Sequence, residues 1–198
     1  MDRYPVPANT QCFELEVKRS CFITTVAGTR DKPDAKQVID TVRKEYPDAN
    51  HHCWAMVAGT PDDIYQQDQS DDGEPKGTAG KPILNVLQHS GLGNTVVVVT
   101  RYFGGIKLGS GGLVRAYTQA STDALSNLQT RLMYVRERMQ IVLPYTAFDA
   151  FEHWLKNTNT IVADKSFTDS IILSVDVPES EKKQLQQRVE FAGGKVIE

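Results

Sequence analysis

Basic residues and glycines concentrate in one stretch of the 198-residue chain, and together they could bind an anion. Residues 75–122 contain five bases and no acid. These bases are Lys76, Lys81, Arg101, Lys107 and Arg115. Ten of the fourteen glycines lie between Gly73 and Gly112. Glycine weakens regular structure, so this concentration indicates unusual backbone angles or close approach by a ligand.

The best candidate for an anion site is the loop at residues 104–112, between a predicted strand (94–103) and a predicted helix (110 to about 128). With Ser110 as N-cap, free backbone N–H groups and the positive end of the helix dipole would meet there. The candidate residues for anion or nucleic-acid binding are Arg101, Lys107, Gly109, Ser110, Gly111, Gly112, Arg115, Lys76 and Lys81. The alternative is that the glycines only let strand and helix pack tightly.

Acidic residues cluster just before this stretch, since residues 62–74 contain six acids and no base. Asp71, Asp72 and Glu74 form an acidic loop that could pair with the nearby bases or simply solvate the chain. They could also bind Mg²⁺, which prefers oxygen ligands. We favour the structural pairing role. The sequence indicates no other cofactor and leaves Mg²⁺ as an option.

His51, His52 and Cys53 are residue types that catalyse reactions or bind zinc. Neighbours on a strand point to opposite faces, however, and no second Cys/His pair has zinc spacing. A cysteine nucleophile would need a histidine from elsewhere in the fold. We therefore assign no catalytic residue, and we expect Cys53 to be a small buried hydrophobe beside Trp54.

Tyr102 and Phe103 follow Arg101 at the end of the predicted strand. Aromatic rings beside an arginine can stack on the bases of single-stranded nucleic acid. Because strand alternation sends the two rings to opposite faces, we expect at least one of them to pack in the core.

Composition and charge exclude several classes of function. A net charge of −3 and a pI near 5.8 argue against coating of nucleic acid by the whole chain, although not against a local basic groove. No purely apolar run, including the four valines at residues 96–99, is long enough to span a membrane. The first residues contain no apolar core of signal-peptide length. Three cysteines without a C-x-x-C pair are typical of reduced thiols, so we expect a cytoplasmic protein.

The elements that would position these residues fall into two halves. In the first half we predict a β-hairpin over residues 12–26, a helix over 34–46, a strand over 52–58 and a helix from Pro82 through Leu87. Residues 60–81 form a long polar connection, and connections of this length tend to be functional or mobile.

Beyond a boundary near residues 130–134 the pattern restarts. We predict strands over 138–143, 160–166, 170–177 and 195–197, with helices over 147–156 and 179–192. The resulting order, βαββαβ, is typical of the ferredoxin-like fold. The sequence therefore predicts an α+β protein of two domains, 1–130 and 131–198.

Three strings in the first half carry a resemblance to a known family. From Asp71 the chain reads D-D-G-E-P-K-G-T-A-G-K-P, and from Thr100 it reads T-R-Y-F-G-G-I-K-L-G-S-G-G-L-V-R-A-Y. The string N-H-H-C-W-A precedes both, from Asn50. Together they resemble the signature of the IMPACT/YigZ family across residues 1–130, an IMPACT-type N-terminal domain. The remainder is similar to the last domain of elongation factor G, which bacterial members of the family carry.

The resemblance implies an N-terminal α/β fold like that of elongation factor G domain IV and ribonuclease PH, fold relatives of which contact RNA or phosphate. Eukaryotic members of the family act in translational control. We therefore expect a cytoplasmic, non-enzymatic, translation-associated regulator that binds RNA or a ribosome-associated partner and no membrane. Two alternatives stay open: a Mg²⁺-dependent enzyme acting on a phosphorylated small molecule or nucleotide, and a pure protein-interaction module. The oligomeric state is left open.

Overall fold

A computed structural model describes residues 2–197 of the chain. The described residues divide into two compact units, one spanning Tyr4–Leu132 (the first unit) and the other containing residues 2–3 and 133–197 (the second unit). Both units combine β-sheet with α-helices, and each has its own hydrophobic core. The predicted α+β class with two sheet-rich units is confirmed.

Between residues 2 and 134 the chain forms seven strands and three α-helices. The strands are β1 (Arg3–Pro7), β2 (Gln11–Val17), β3 (Ser20–Gly28), β4 (His51–Val57), β5 (Gln67–Ser70), β6 (Thr95–Tyr102) and β7 (Thr130–Tyr134). The helices are α1 (Lys32–Glu45), α2 (Gly80–Ser90) and α3 (Ser110–Ser126). β1 pairs with β7 in a two-stranded sheet, and the other five strands form one sheet in the order β2-β3-β6-β4-β5.

Strand β6 lies at the centre of the five-stranded sheet and is antiparallel to both of its neighbours. Its four valines, residues 96–99, are fully buried, as the unalternating apolar run predicts. Val97 and Val99 pack in a cluster with residues of α2 and α3, while Val96 and Val98 pack in a cluster with residues of α1. Helices therefore cover both faces of the sheet, and its central strand is closed to water.

Short-range sequence signals set several of these boundaries. Lys18 and Arg19 both have positive φ angles, 48° and 65°, so a two-residue turn joins β2 to β3. The Asp31 side chain accepts a hydrogen bond from the Asp34 amide and caps α1. Gly91, at a left-handed φ of 70°, ends α2.

The long polar connection over residues 60–81 contains regular structure that the sequence pattern does not predict. A short 3₁₀ turn spans Ile64–Gln66, and β5 then pairs antiparallel with β4 along its edge, Trp54 opposite Ser70. All four residues of β5 are polar, so the strand has no apolar alternation that a sequence pattern could detect.

The second unit has the element order βαββαβ. Its elements are β8 (Arg136–Leu143), α4 (Tyr145–Leu155), β9 (Ile161–Phe167), β10 (Ile171–Pro178), α5 (Lys182–Phe191) and β11 (Lys195–Ile197). The strands form an antiparallel sheet in the order β11-β8-β10-β9. A 3₁₀ turn over Glu179–Glu181 replaces the predicted start of the last helix. Phe151 is buried, with Phe148 and Trp154 packed against the same core, as their helical spacing predicts.

Within residues 2–197, no helix is both long enough and apolar enough to cross a membrane.

Candidate functional site

A cavity of about 410 Å³ opens in the first unit where β6 ends and α3 begins. The side chains and loop residues that matter for its chemistry are Asn50, His51, Glu74, Arg101, Phe103, Lys107, Gly109 and Ser110. Its volume falls in the range of small-molecule sites in proteins. The start of β4, the acidic loop and the glycine-rich loop therefore surround one space.

A buried ion pair forms part of the cavity wall. Arg101 Nη1 lies 2.6 Å from Glu74 Oε1, and the two residues are only 5% and 8% exposed. The guanidinium carbon of Arg101 also lies 5.5 Å from the centre of the Phe22 ring and 5.7 Å from that of Phe103. Among residues 2–197, Arg101 Nε is a buried donor without a partner. Arg101 therefore has its charge balanced by Glu74, while its Nε–H makes no hydrogen bond to any of residues 2–197.

A chain of polar contacts continues from Glu74 into the core. The Tyr117 hydroxyl donates to Glu74 Oε1 at 2.8 Å, and Cys53 Sγ lies 3.2 Å from Tyr117 Oη and 3.0 Å from the carbonyl oxygen of Asp71. Burial raises the pKa of the Cys53 thiol to about 12 and raises the pKa of Tyr117 above its usual range. Both groups therefore stay protonated at neutral pH. Cys53 is buried, as expected, but it also takes part in this polar chain.

The Asp71 side chain caps the N-terminus of α2. Its carboxylate accepts hydrogen bonds from the backbone amides of Gly77 (2.8 Å), Ala79 (3.0 Å) and Gly80 (2.8 Å). Burial alone would raise the pKa of Asp71, but these three hydrogen bonds outweigh it and leave the pKa below its usual value. The role of Asp71 is therefore to hold the loop against the helix.

Asp72 is tied to a different part of the unit. Its Oδ1 accepts from Arg43 Nη2 at 2.9 Å, and its Oδ2 accepts from the His52 amide at 2.7 Å. Neither Asp71 nor Asp72 lines the cavity. In the part of the chain that the structure describes, no three His, Cys, Asp or Glu side chains are placed to hold a metal ion. The three acids of the loop thus all bind protein groups.

His51 lines the cavity beside Glu74, a position that sequence reasoning missed. Its Nδ1 lies 2.9 Å from the carbonyl oxygen of Asp72, and its Nε2 lies 3.9 Å from Glu74 Oε2. His51 is also directly opposite Arg101 in the β4–β6 pairing. Strand alternation does place His51 and Cys53 on one face, but only the pairing register shows that this face is shared with Arg101.

The structure brings together only some of the predicted anion-binding residues. Arg101, Lys107, Gly109 and Ser110 line the cavity with Glu74. Lys81 lines a separate cavity of about 330 Å³ beside α2 and α3. The other candidates, Lys76, Gly111, Gly112 and Arg115, are not part of the cavity wall.

The prediction that Ser110 caps α3 is wrong by one position. Gly109 occupies the N-cap with φ 69°, a left-handed angle that glycine adopts without steric cost, and Ser110 is the first helical residue. No side chain among the described residues caps α3, and its first turn contains no acid. The amides of this turn therefore face the loop without a side-chain acceptor.

Gly104 and Gly111 of the loop region differ in whether the surrounding structure leaves room for a Cβ atom. A Cβ at Gly104 would lie 2.0 Å from the carbonyl oxygen of Arg19, so that glycine is required by close backbone packing. A Cβ at Gly111 would meet nothing nearer than Arg115 Nη1 at 3.9 Å. Gly104 is therefore required by packing against the β2–β3 turn rather than between strand and helix, and close packing leaves Gly111 unexplained.

Comparison with known proteins places these features in a family. The sequence model of the "Impact N-terminal domain" matches residues 18–125, and that of a "Domain of unknown function (DUF1949)" matches residues 141–190. The Haemophilus influenzae protein named "IMPACT family member" is 40% identical, with 90% of this chain and 87% of that protein covered. The Escherichia coli protein "IMPACT family member YigZ" is 38% identical, with 98% and 96% covered.

A solved structure described as "Crystal structure of an hypothetical protein" has a TM-score of 0.75 and 36% sequence identity, covering 100% of this chain and 97% of its own. The sequence matches cover the cavity-forming loops and nearly the whole chain of each relative. This chain belongs to the IMPACT/YigZ family.

Proposed function

We propose that this protein is a cytoplasmic, translation-associated regulator that binds RNA as single strands, with one nucleotide in the cavity between β6 and α3. The observation that carries the proposal is the meeting of an exposed aromatic ring, Phe103, with a lysine, Lys107, and an uncapped helix N-terminus around one cavity. Single-stranded nucleic acids are commonly bound by such a combination of a stacking surface and anion-binding groups.

The stacking surface is the ring of Phe103. Phe103 is 46% exposed at the cavity wall, and the Arg101 guanidinium lies 5.7 Å from its ring centre. The Asn50 side chain accepts a 2.7 Å hydrogen bond from the Phe103 amide and so fixes the backbone from which the ring projects. A base stacked on Phe103 would gain from a ring that is already held in place.

The phosphate contact is assigned to Lys107 and the first turn of α3. Lys107 is exposed and forms no ion pair with any residue from 2 to 197, whereas the charge of Arg101 is balanced by Glu74. The cavity therefore offers about one uncompensated cation together with helix amides, which suits one phosphate group. Binding through this cavity should be modest in affinity and only weakly dependent on salt.

The architecture and the family support the link to translation. We infer that the first unit has the fold of elongation factor G domain IV and ribonuclease PH, and that the second unit is ferredoxin-like. The βαββαβ order and the strand order β11-β8-β10-β9 support the second assignment. The translational role of eukaryotic family members, which the sequence resemblance implies, supports the regulatory assignment.

A fluorescence-anisotropy titration of short single-stranded RNA across a salt series tests this function. Lys107→Ala should make the slope of log K against log salt shallower by roughly 0.7, the value for one phosphate contact on a single strand. Phe103→Ala should weaken binding by about 1–3 kcal/mol at every salt concentration, because stacking does not depend on counterions. Lys36→Ala, an exposed residue of α1 on the opposite face of the sheet, is the matched control and should change neither quantity.

Absence of any RNA affinity tighter than micromolar at low salt would overturn direct binding. Normal RNA binding by both cavity variants would place the RNA site elsewhere on the protein.

A further inference from the structure

The hydrogen-bond partner of His51 determines which of its ring nitrogens carries a proton. Nδ1 lies 2.9 Å from the carbonyl oxygen of Asp72, and a carbonyl oxygen can only accept a hydrogen bond. Nδ1 must therefore carry the proton. In the neutral ring this leaves Nε2 as a lone-pair acceptor at the cavity wall.

A second acceptor lies beside the first. Glu74 Oε2 is 3.9 Å from His51 Nε2, too far for a hydrogen bond between them. The donors Arg101 and Tyr117 both use the other oxygen, Oε1. Among residues 2–197, Oε2 accepts no hydrogen bond, although the Glu74 side chain is only 3% exposed. This oxygen therefore remains able to accept a hydrogen bond from a ligand that enters the cavity.

We propose that His51 Nε2 and Glu74 Oε2 together recognise an exocyclic amino group of the base stacked on Phe103. This inference rests on the proposed RNA binding and specifies the class of base. An amino group carries two N–H donors that diverge from one nitrogen, so a single group can serve two acceptors 3.9 Å apart. Cytosine, adenine and guanine present such a group on the Watson–Crick edge, which single-stranded RNA leaves open.

Uracil is the base that this pair of acceptors excludes. It has the ring size of cytosine but presents a carbonyl oxygen where cytosine has its amino group. That carbonyl oxygen would face the acceptors His51 Nε2 and Glu74 Oε2, and it could donate a hydrogen bond to neither. Sites built from buried polar groups discriminate strongly when the ligand leaves those groups unpaired. His51 and Glu74 are thus specificity-determining residues for an amino-bearing base.

Anisotropy titrations with oligocytidine and oligouridine of equal length, at neutral pH and fixed salt, test this assignment. The wild type should bind oligocytidine about tenfold more tightly, the factor expected for one or two hydrogen bonds. His51→Leu removes one acceptor at similar volume and should reduce this preference. His89→Leu, an exposed histidine on α2 outside this cavity, is the matched control and should retain it.

A second variant keeps the test decisive if His51→Leu does not fold. Glu74→Gln keeps an acceptor for Arg101 and Tyr117 while placing an amide N–H₂ where Oε2 was, so the preference for oligocytidine should disappear. Equal binding of the two oligomers by the wild type, or a full preference in a folded His51→Leu variant, overturns the inference but leaves RNA binding intact. Failure to bind either oligomer overturns both the inference and the proposed function.

Discussion

Glu74 and Arg101, 27 positions apart in the chain, form a 2.6 Å ion pair at the wall of the cavity. Glu74 comes from the first glycine-rich string, and Arg101 comes from the second. Tyr117, at the end of the second string, donates to the same Glu74 oxygen, and Cys53 of the histidine-containing string lies beside Tyr117. Residues from all three strings that carry the family resemblance are therefore parts of one buried polar cluster.

Removing the arginine should strongly destabilise the first unit. Arg101→Met leaves the Glu74 carboxylate buried with one donor fewer, and breaking a buried pair in this way costs about 3–5 kcal/mol of unfolding free energy. Urea denaturation followed by circular dichroism measures the change. The double variant Arg101→Met with Glu74→Leu should recover much of the loss, because no charge is then left unpaired.

An exposed ion pair in the same unit is the comparison. Arg30 bonds Asp34 at the surface, where solvent screens the charges, and Arg30→Ala should leave the urea midpoint nearly unchanged. A similar small effect for Arg101→Met would show that Glu74 does not depend on this partner in the folded state.

Replacing Asp71 should weaken the start of α2 in a pH-dependent way. Asp71→Ala removes the acceptor for three backbone amides and should cost about 1–2 kcal/mol at neutral pH. The pKa of Asp71 is lower in the folded state than its usual value, so its stabilisation is present above the unfolded pKa and is lost as the pH falls through the folded pKa. The difference between wild type and variant should therefore shrink below about pH 4.

Urea midpoints of both proteins at neutral and acid pH give this difference directly. A difference that grows on acidification would contradict the assignment, because it would mean that the protonated carboxyl is the stabilising form.

Replacing Gly111 should weaken RNA binding without lowering the unfolding free energy. Gly111→Ala introduces no clash and removes a glycine from a helix, so it should leave the unfolding free energy unchanged or raise it by up to about 0.5 kcal/mol. The added methyl group would stand beside the first turn of α3 and should weaken RNA binding if a phosphate approaches those amides. Thermal unfolding and anisotropy measure the two effects, and unchanged RNA affinity would place the phosphate elsewhere.

The three cysteines should differ sharply in reactivity. Cys12 is exposed, whereas burial raises the pKa of Cys53 to about 12 and that of Cys21 to about 11. Because the thiolate is the reactive form, a colorimetric thiol reagent at mildly alkaline pH should modify Cys12 first and Cys53 only after unfolding. Cys12→Ser should remove the fast phase. A fast phase that persists in this variant and disappears in Cys53→Ser would show that the cavity wall opens readily.

Much of the fold could be predicted because its signals are local. Four consecutive valines indicate a strand buried on both faces, and Pro47 and Gly91 lie just beyond the ends of α1 and α2. β5 was not predicted because all of its residues are polar. It pairs at the edge of the sheet, where a strand can form without an alternating apolar pattern. Ser110 has the side chain of an N-cap, but the left-handed angle of Gly109 determines where α3 begins.

The site was harder to predict because its contacts join distant residues. Lys107, Gly109 and Ser110 lie close together in sequence, so their shared position could be expected. His51 reaches the cavity only because β4 pairs with β6 in one register, and a single sequence does not specify that register. The prediction for the anion-binding residues also included bases such as Lys81 that α2 directs to another cavity.

The central strand has a further consequence for mutation and design. Along β6, Val97, Val99 and Arg101 alternate with Val96, Val98 and Thr100, and the two sets face opposite helix layers. A slip of one residue in its pairing that turned Thr100, rather than Arg101, toward Glu74 would keep a valine at three of the four core positions and place Thr95 at the fourth. The valines alone therefore oppose such a slip only weakly, and the buried pairing of Arg101 with Glu74 at the end of the strand adds a second distinction between the correct register and its neighbour.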